Sequence, residues 1–176
     1  MRGHWAGRSA RWAIAVALAS AACSSPSRAS PPSPAVVVPV LKVTDGDTVH
    51  VTYLGRDERV RLIGVNTPEV SWYGGRAQCF GVEAARYARD RLSGRVVRVG
   101  FDVARRDRYG RLLAYVFLGP ELFNLTLVQR GYAVADPVRP DTAMAASFAA
   151  AESIARRKGM GLWTACPDGR GSRGPP

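Results

Sequence analysis

The stretch VVVPVLKVTDGDTVHVTYLGRDERVRLIGV, Val36 to Val65, constrains the fold more than any other. Its β-branched and apolar residues are interrupted at Asp45-Gly46 and again at Gly55, both turn signals. The pattern predicts three consecutive strands, over about 37–43, 47–54 and 58–65. In the third, Val60 and Leu62 alternate, then the phase slips so that Ile63 and Val65 follow. A glycine, Gly64, stands at the slip and predicts a bulge or a close backbone approach.

The chain beyond completes a recognisable order. Residues 71–78 read as a loop, and Phe80 to Leu92 as a helix with Val82, Ala85, Tyr87, Ala88 and Leu92 on its inner face and Gly94 as its C-cap. Arg95 to Phe101 and Leu112 to Leu118 read as strands four and five, separated by the basic turn segment ARRDRYGR at 104–111. Leu122 to Gln129 and Thr142 to Lys158 read as helices, the second ending in basic residues that suit its dipole. The order βββαββαα, five strands and three helices, predicts an α+β fold built on a small barrel of OB type. Tyr87, Tyr115 and Trp163 are read as core.

The N-terminus reads as something other than fold. Arg2, Arg8 and Arg11 precede WAIAVALASAA, an apolar run too short to span a membrane. Residues 1–22 are therefore read as a secretory signal, and 23–35, rich in Ser and Pro, as an extended tether. The domain is expected over 36–165, with a disordered tail at 166–176. Cysteine placement fits this layout. Cys23 follows Ser-Ala-Ala at the end of the apolar run, as in the lipobox of bacterial lipoproteins, and is read as a lipidation site. Cleavage after Ala21 or Ala22 is the alternative. Lipidation leaves Cys79 and Cys166, which an oxidising compartment can join. Such a bridge would contribute roughly 2–4 kcal/mol. Two separate buried thiols are the alternative.

The 176 residues carry 25 basic and 14 acidic side chains, a formal charge of +11. A basic excess favours polyanionic partners, although an arginine-rich genome composition gives the same excess without function. The described chemistry is not histidine-based: outside the leader, His50 stands alone. Without a Cys/His cluster, zinc is not expected. Three polar clusters instead fall at element ends. These are Asp45-Gly46-Asp47-Thr48 at the first hairpin, Asn66-Thr67-Pro68-Glu69 after the third strand, and Asp107-Arg108-Tyr109-Gly110-Arg111 before the fifth.

The segments VTDGDTVHV, RLIGVNTPEV, FGVEAARYARDRL, DRYGRLLAYVF, LFNLTLVQRGYA and KGMGLW, in this order over about residues 37–164, resemble the staphylococcal nuclease (thermonuclease) family. The resemblance implies a calcium-dependent phosphodiesterase that cuts DNA or RNA, preferably single-stranded, and leaves a 3′-phosphate. It implies Asp47 and the Thr67 carbonyl as calcium ligands, with Asn66 where the family has a second carboxylate. Glu69 would position the water as candidate general base, Arg61 and Arg111 would contact the phosphate, and Asp45 would support the metal with its charge. Tyr109 is read as lining the site or, equally, as buried packing.

The chemistry calls for these residue types. Calcium takes oxygen ligands, guanidinium forks grip phosphate oxygens bidentately, and a carboxylate near the attacking water orients it or takes its proton. Arg61 and Glu69 are thus expected to face one phosphate from opposite sides rather than to pair with each other.

Two departures bear on function. Asn66 lacks the charge of a carboxylate and predicts a weaker metal site. The segment YAVADPVRPDTA has no tyrosine after Tyr132, where the family's founder places tyrosines near the base. The competing reading is an inactive or weak OB-type module that binds single-stranded nucleic acid through its charge. A module held at the envelope to bind anionic polymers is a third. A monomer, exported and either lipid-anchored at the outer face of the cell membrane or secreted, is expected.

Overall fold

The computed structural model describes Met1, residues 35–70 and residues 76–166. The expected signal, Cys23, nearly all of the tether, most of the 71–78 loop and the tail from 167 onward lie outside the described residues. Strands β1 (Val36–Val43), β2 (Thr48–Tyr53) and β3 (Arg56–Leu62) form the predicted meander. Val49, Val51, Val60 and Leu62 are almost wholly buried, so the period of two puts one face of each strand into the core. The β2–β3 hairpin turns through Leu54-Gly55, both at positive φ (51° and 75°), the geometry of a tight two-residue turn.

Helix α1 (Gly81–Leu92) follows, then β5 (Val96–Gly100) and β6 (Leu112–Leu118). The sheet order is β3-β2-β1-β5-β6, and a parallel pairing of β3 with β6 closes the five strands into the expected barrel. Barrel closure removes the two free edges that an open sheet would expose. Helix α2 (Phe123–Gln129) packs against α3 (Ala145–Arg157) and β6.

Several details differ from expectation. The third strand ends at Leu62, and Gly64–Asn66 forms a separate strand β4. This strand pairs with β8 (Val134–Asp136) and not with the barrel. The predicted phase slip is the point of this break. Gly64 sits at φ 76°, and a Cβ there would collide with the ring of Phe148 on α3. The buried Asn124 side chain supports the same point, donating to Ile63 O at 2.9 Å and accepting the Val116 N–H at 2.8 Å. A two-residue strand β7 (Glu121–Leu122) extends the β6 hairpin, and a fourth helix α4 (Leu162–Ala165) adds to the three expected.

Val82 was expected inside but is 42% exposed; α1 instead buries Gly81, Ala84, Ala85, Ala88 and Leu92. Tyr115 is core, whereas Tyr87 and Trp163 are only half-buried. The ordered domain also runs past residue 165. Cys166 is 4% exposed and bridged to Cys79 across 87 positions, with Cα atoms 5.8 Å apart.

Candidate active site

Strand register brings the three polar clusters to one rim of the barrel. Arg61 pairs with Thr48 on β2 and with Leu113 on β6. Asp47 is therefore one residue from one partner of Arg61, and Arg111 two residues from the other. The main chain locks the first contact, since Leu62 N–H donates to Asp47 O at 2.9 Å.

Arg61 then staples the strand break. Its Nη1 donates to Leu62 O at 2.9 Å and Val65 O at 2.7 Å, carbonyls near the break at Gly64. Its Nη2 donates to Asn66 Oδ1 at 3.0 Å, and its Nε lies 3.3 Å from Asp47 Oδ1. A guanidinium has five N–H groups, so among the described residues a single Nη2 N–H of Arg61 is not engaged. The bidentate grip expected of both arginines is open to Arg111 but not to Arg61.

Asp47 is 4% exposed and joins the first and second clusters. Its Oδ2 accepts the Thr67 N–H at 2.7 Å and the Thr67 Oγ1–H at 3.0 Å. The 45–47 turn lies flat on Thr67: a Cβ at Gly46 would meet the Thr67 side chain at 2.7 Å. Asp45 Oδ1 accepts the Asp47 N–H at 3.0 Å. Burial, with the Asp47 charge adding to it, pushes the Asp45 carboxyl up to about 6.

Glu69 is a solvent-exposed residue at the same rim. Partial enclosure raises its carboxyl above the ordinary glutamate value and the Asp47 charge adds to that, while Arg61 and Arg111 pull it back. No ion pair joins Arg61 and Glu69 among the described residues. The Glu69 carboxylate therefore stands between a negative neighbour and two positive ones without pairing to any.

Arg111 is set by Asp107, whose part in the site the sequence reading did not assign. Asp107 Oδ2 accepts the Arg111 Nε–H at 2.7 Å, and Oδ1 accepts the main-chain N–H of both Tyr109 and Arg111 at 2.9 Å. Burial acts to raise the Asp107 carboxyl, but these hydrogen bonds outweigh it and hold it below the ordinary aspartate value. The four-residue separation of Asp107 and Arg111 around a Tyr-Gly turn is the signal that could have revealed the pair. Tyr109 is 66% exposed, with the Arg111 guanidinium 5.5 Å from its ring centre.

A cavity of about 480 Å³ opens from the two arginines, with Tyr109, Asp136, Val138 and Arg139 along its walls. Asp47 and Glu69 lie outside it. Tyr132 is not part of this wall; it stacks on Tyr87 with ring centres 4.3 Å apart. Tyr109 is thus the aromatic residue that lines the cavity.

The donor set available to a cation is oxygen throughout: the Asp45 and Asp47 carboxylates, the Asn66 amide and the Thr67 carbonyl. That chemistry fits a hard cation. After burial, the Asp47 charge is the next cause that raises both the Asp45 and the Glu69 carboxyls, and a cation there would offset that local excess of negative charge. Among the described residues no three acidic, His or Cys side chains are grouped as a metal cage. His50 takes no part; its Nδ1 lies 2.6 Å from Asp57 Oδ1.

Residues 59–165 match the family model described as staphylococcal nuclease homologue. The chain is 39% identical over 124 residues to the thermonuclease of Staphylococcus intermedius, covering 70% of this chain and 74% of that one. It is 37% identical over 125 residues to the thermonuclease of Staphylococcus hyicus, covering 71% and 74%. It is 33% identical over 125 residues to endonuclease YncB of Bacillus subtilis, covering 70% of this chain and 59% of that protein.

Proposed function

The chain belongs to the staphylococcal nuclease family and is a nuclease, and from that premise we propose that it is an exported, calcium-dependent endonuclease acting on single-stranded DNA or RNA. The observation that carries the reading is the rim itself. Among the described residues, an oriented guanidinium, a second one with one N–H not engaged, and a carboxylate in no ion pair meet beside a buried aspartate with oxygen-rich neighbours.

Arg111 binds the scissile phosphate through its free Nη fork, which Asp107 aims into the cavity mouth. Arg61 adds one hydrogen bond from Nη2. Both interactions strengthen as negative charge builds on the phosphate oxygens, and so favour the transition state over the ground state. Glu69 orients a water toward phosphorus and accepts its proton; its raised carboxyl value makes it a better base than a free glutamate. The water oxygen bonds to phosphorus as the bond to the 5′-oxygen breaks; the 5′-oxygen leaves and takes up a proton from solvent, and the phosphate stays on the 3′-oxygen. Calcium would be held by Asp47, the Thr67 carbonyl and the Asn66 amide oxygen, with Asp45 in support. When bound, it supplies charge neutralisation at the phosphate.

The cavity beside the arginines accommodates the nucleoside attached to that phosphate, with Tyr109 as its stacking surface. Tyr109, the aromatic residue that lines the cavity among the described residues, supports a substrate that can splay a base out to stack on it, hence a single strand. The Cys79–Cys166 bridge supports an oxidising location, in line with a secretory signal over 1–22 and a lipid anchor at Cys23. The protein acts as a monomer. Cleavage of labelled single-stranded DNA and RNA by the purified protein, with calcium titrated from zero, tests the reading. Binding without cleavage at every calcium level would replace it with that of a binding module.

A further inference from the structure

The Glu69 main chain is held from both sides by one residue nine positions on. Glu69 N–H donates to the Gln78 side-chain Oε1 at 2.8 Å, and Gln78 N–H donates to Glu69 O at 3.0 Å. Gln78 is itself fixed at the entry to α1, where its carbonyl accepts the Gly81 N–H at 3.0 Å. The approach is tight. A Cβ on Gly81 would stand 3.0 Å from Pro68 O and would overlap Glu69 O. The next residue, Cys79, is bonded to Cys166 at the end of α4.

These contacts form one chain of restraint, from the C-terminal end of the domain through the bridge and Gln78 to the peptide groups of Glu69. We propose that Gln78, held by the Cys79–Cys166 bridge, is a positioning residue for the Glu69 carboxylate, so that opening the bridge lowers turnover while leaving substrate binding intact. The inference rests on the nuclease reading above, in which Glu69 handles the attacking water. Arg61, Arg111 and Asp107 hang from β3 and from the turn before β6, and among the described residues no hydrogen bond or ion pair joins any of them to Gln78. Arg61 reaches one end of the 66–69 segment, through Asn66 Oδ1 and Asp47, whereas Gln78 holds its Glu69 end.

Residue 79 is exposed and Cys166 buried, which sets the order of reduction. A thiolate of a dithiol reductant attacks the Cys79 sulfur and Cys166 leaves as thiolate, which takes up a proton. The reductant's second thiol then displaces Cys79, giving two protein thiols and one oxidised reductant, a two-electron exchange.

The test measures kcat and KM on single-stranded DNA at saturating calcium for the full protein, oxidised and reduced by dithiothreitol, beside Gln78→Leu and Gln78→Glu, well below every melting midpoint. Misplacing the carboxylate by a fraction of its proper geometry should lower kcat between about ten- and a hundredfold. KM should hold within about twofold, since the phosphate contacts are untouched. Gln78→Leu and reduction should each give this drop, and reduction should add little to Gln78→Leu because both release one restraint. Gln78→Glu keeps the acceptor oxygen and should retain most of the turnover. Wild-type kcat in Gln78→Leu, or in the reduced protein, overturns the proposal, as does a joint loss of kcat, KM and thermal stability. Cleavage by neither form of the wild-type protein would instead sink the nuclease reading beneath it.

Discussion

Asp107 and Arg111 are joined three times over: one carboxylate oxygen takes the Arg111 Nε–H at 2.7 Å, the other takes the Arg111 main-chain N–H at 2.9 Å, and the Asp107 N–H donates to Arg111 O at 3.0 Å. The guanidinium is thereby turned so that its Nη fork is left for a ligand. Asp107→Ala should release the fork and lower kcat/KM by about ten- to a hundredfold. An unchanged kcat/KM would remove Asp107 from the account.

The same pair carries a pH dependence. Asp107 titrates below its ordinary value of 3.8 in the folded protein. Its contribution to stability is therefore fully present above 3.8 and is lost as pH falls through the lower folded value. Asp107→Asn should melt below wild type at neutral pH, and the gap should narrow at roughly pH 2–3. A gap that widened on acidification would have the wrong sign.

Asn66 presents its amide oxygen to Arg61 at 3.0 Å, beside Asp47. Asn66→Asp keeps an oxygen there and adds a charge. Calcium affinity should rise on the order of tenfold, about 1.4 kcal/mol. Titration calorimetry measures it directly, and equal affinities in the two proteins would mean that position 66 is not a ligand.

Gly64→Ala should be among the most damaging single changes. The residue sits at φ 76° with the Phe148 ring against the place of its missing side chain. Backbone strain and overpacking together should cost about 2–4 kcal/mol in urea unfolding. Leu54, in the exposed β2–β3 turn at φ 51°, is the opposite case. Leu54→Asn should stabilise by up to about 1 kcal/mol, because asparagine tolerates the left-handed region. Unfolding midpoints that moved the other way would contradict both.

Much of the barrel is legible in the sequence because alternating valines and tight-turn residues are local signals. The break at Gly64 shows in the phase slip between Leu62 and Ile63, although its cause, Phe148, is 84 residues away and carries no local mark. Strands β4 and β8 are three residues each, too short for periodicity to register. Val82 misleads because the packing of α1 on β1 selects the small residues Ala84, Ala85 and Ala88 rather than the most apolar side chain. At the site, residue types and element ends mark Asp47, Arg61, Glu69 and Arg111. What they cannot mark is the allocation of donors, which engages most of Arg61 and, among the described residues, leaves the Nη groups of Arg111 unengaged. Gln78 is invisible for the same reason: its partner is Glu69's main chain, and any side chain with an acceptor would read alike.

The central claim is that Glu69 and Arg111 act together on a calcium-associated phosphate. The most direct measurement is calcium-dependent cleavage of single-stranded DNA by wild type, Glu69→Ala and Arg111→Ala under identical conditions. The account predicts cleavage by wild type that requires calcium, and a loss of about 10²–10⁴-fold in each variant. Wild-type rates in both variants, or wild-type cleavage indifferent to calcium, would contradict it.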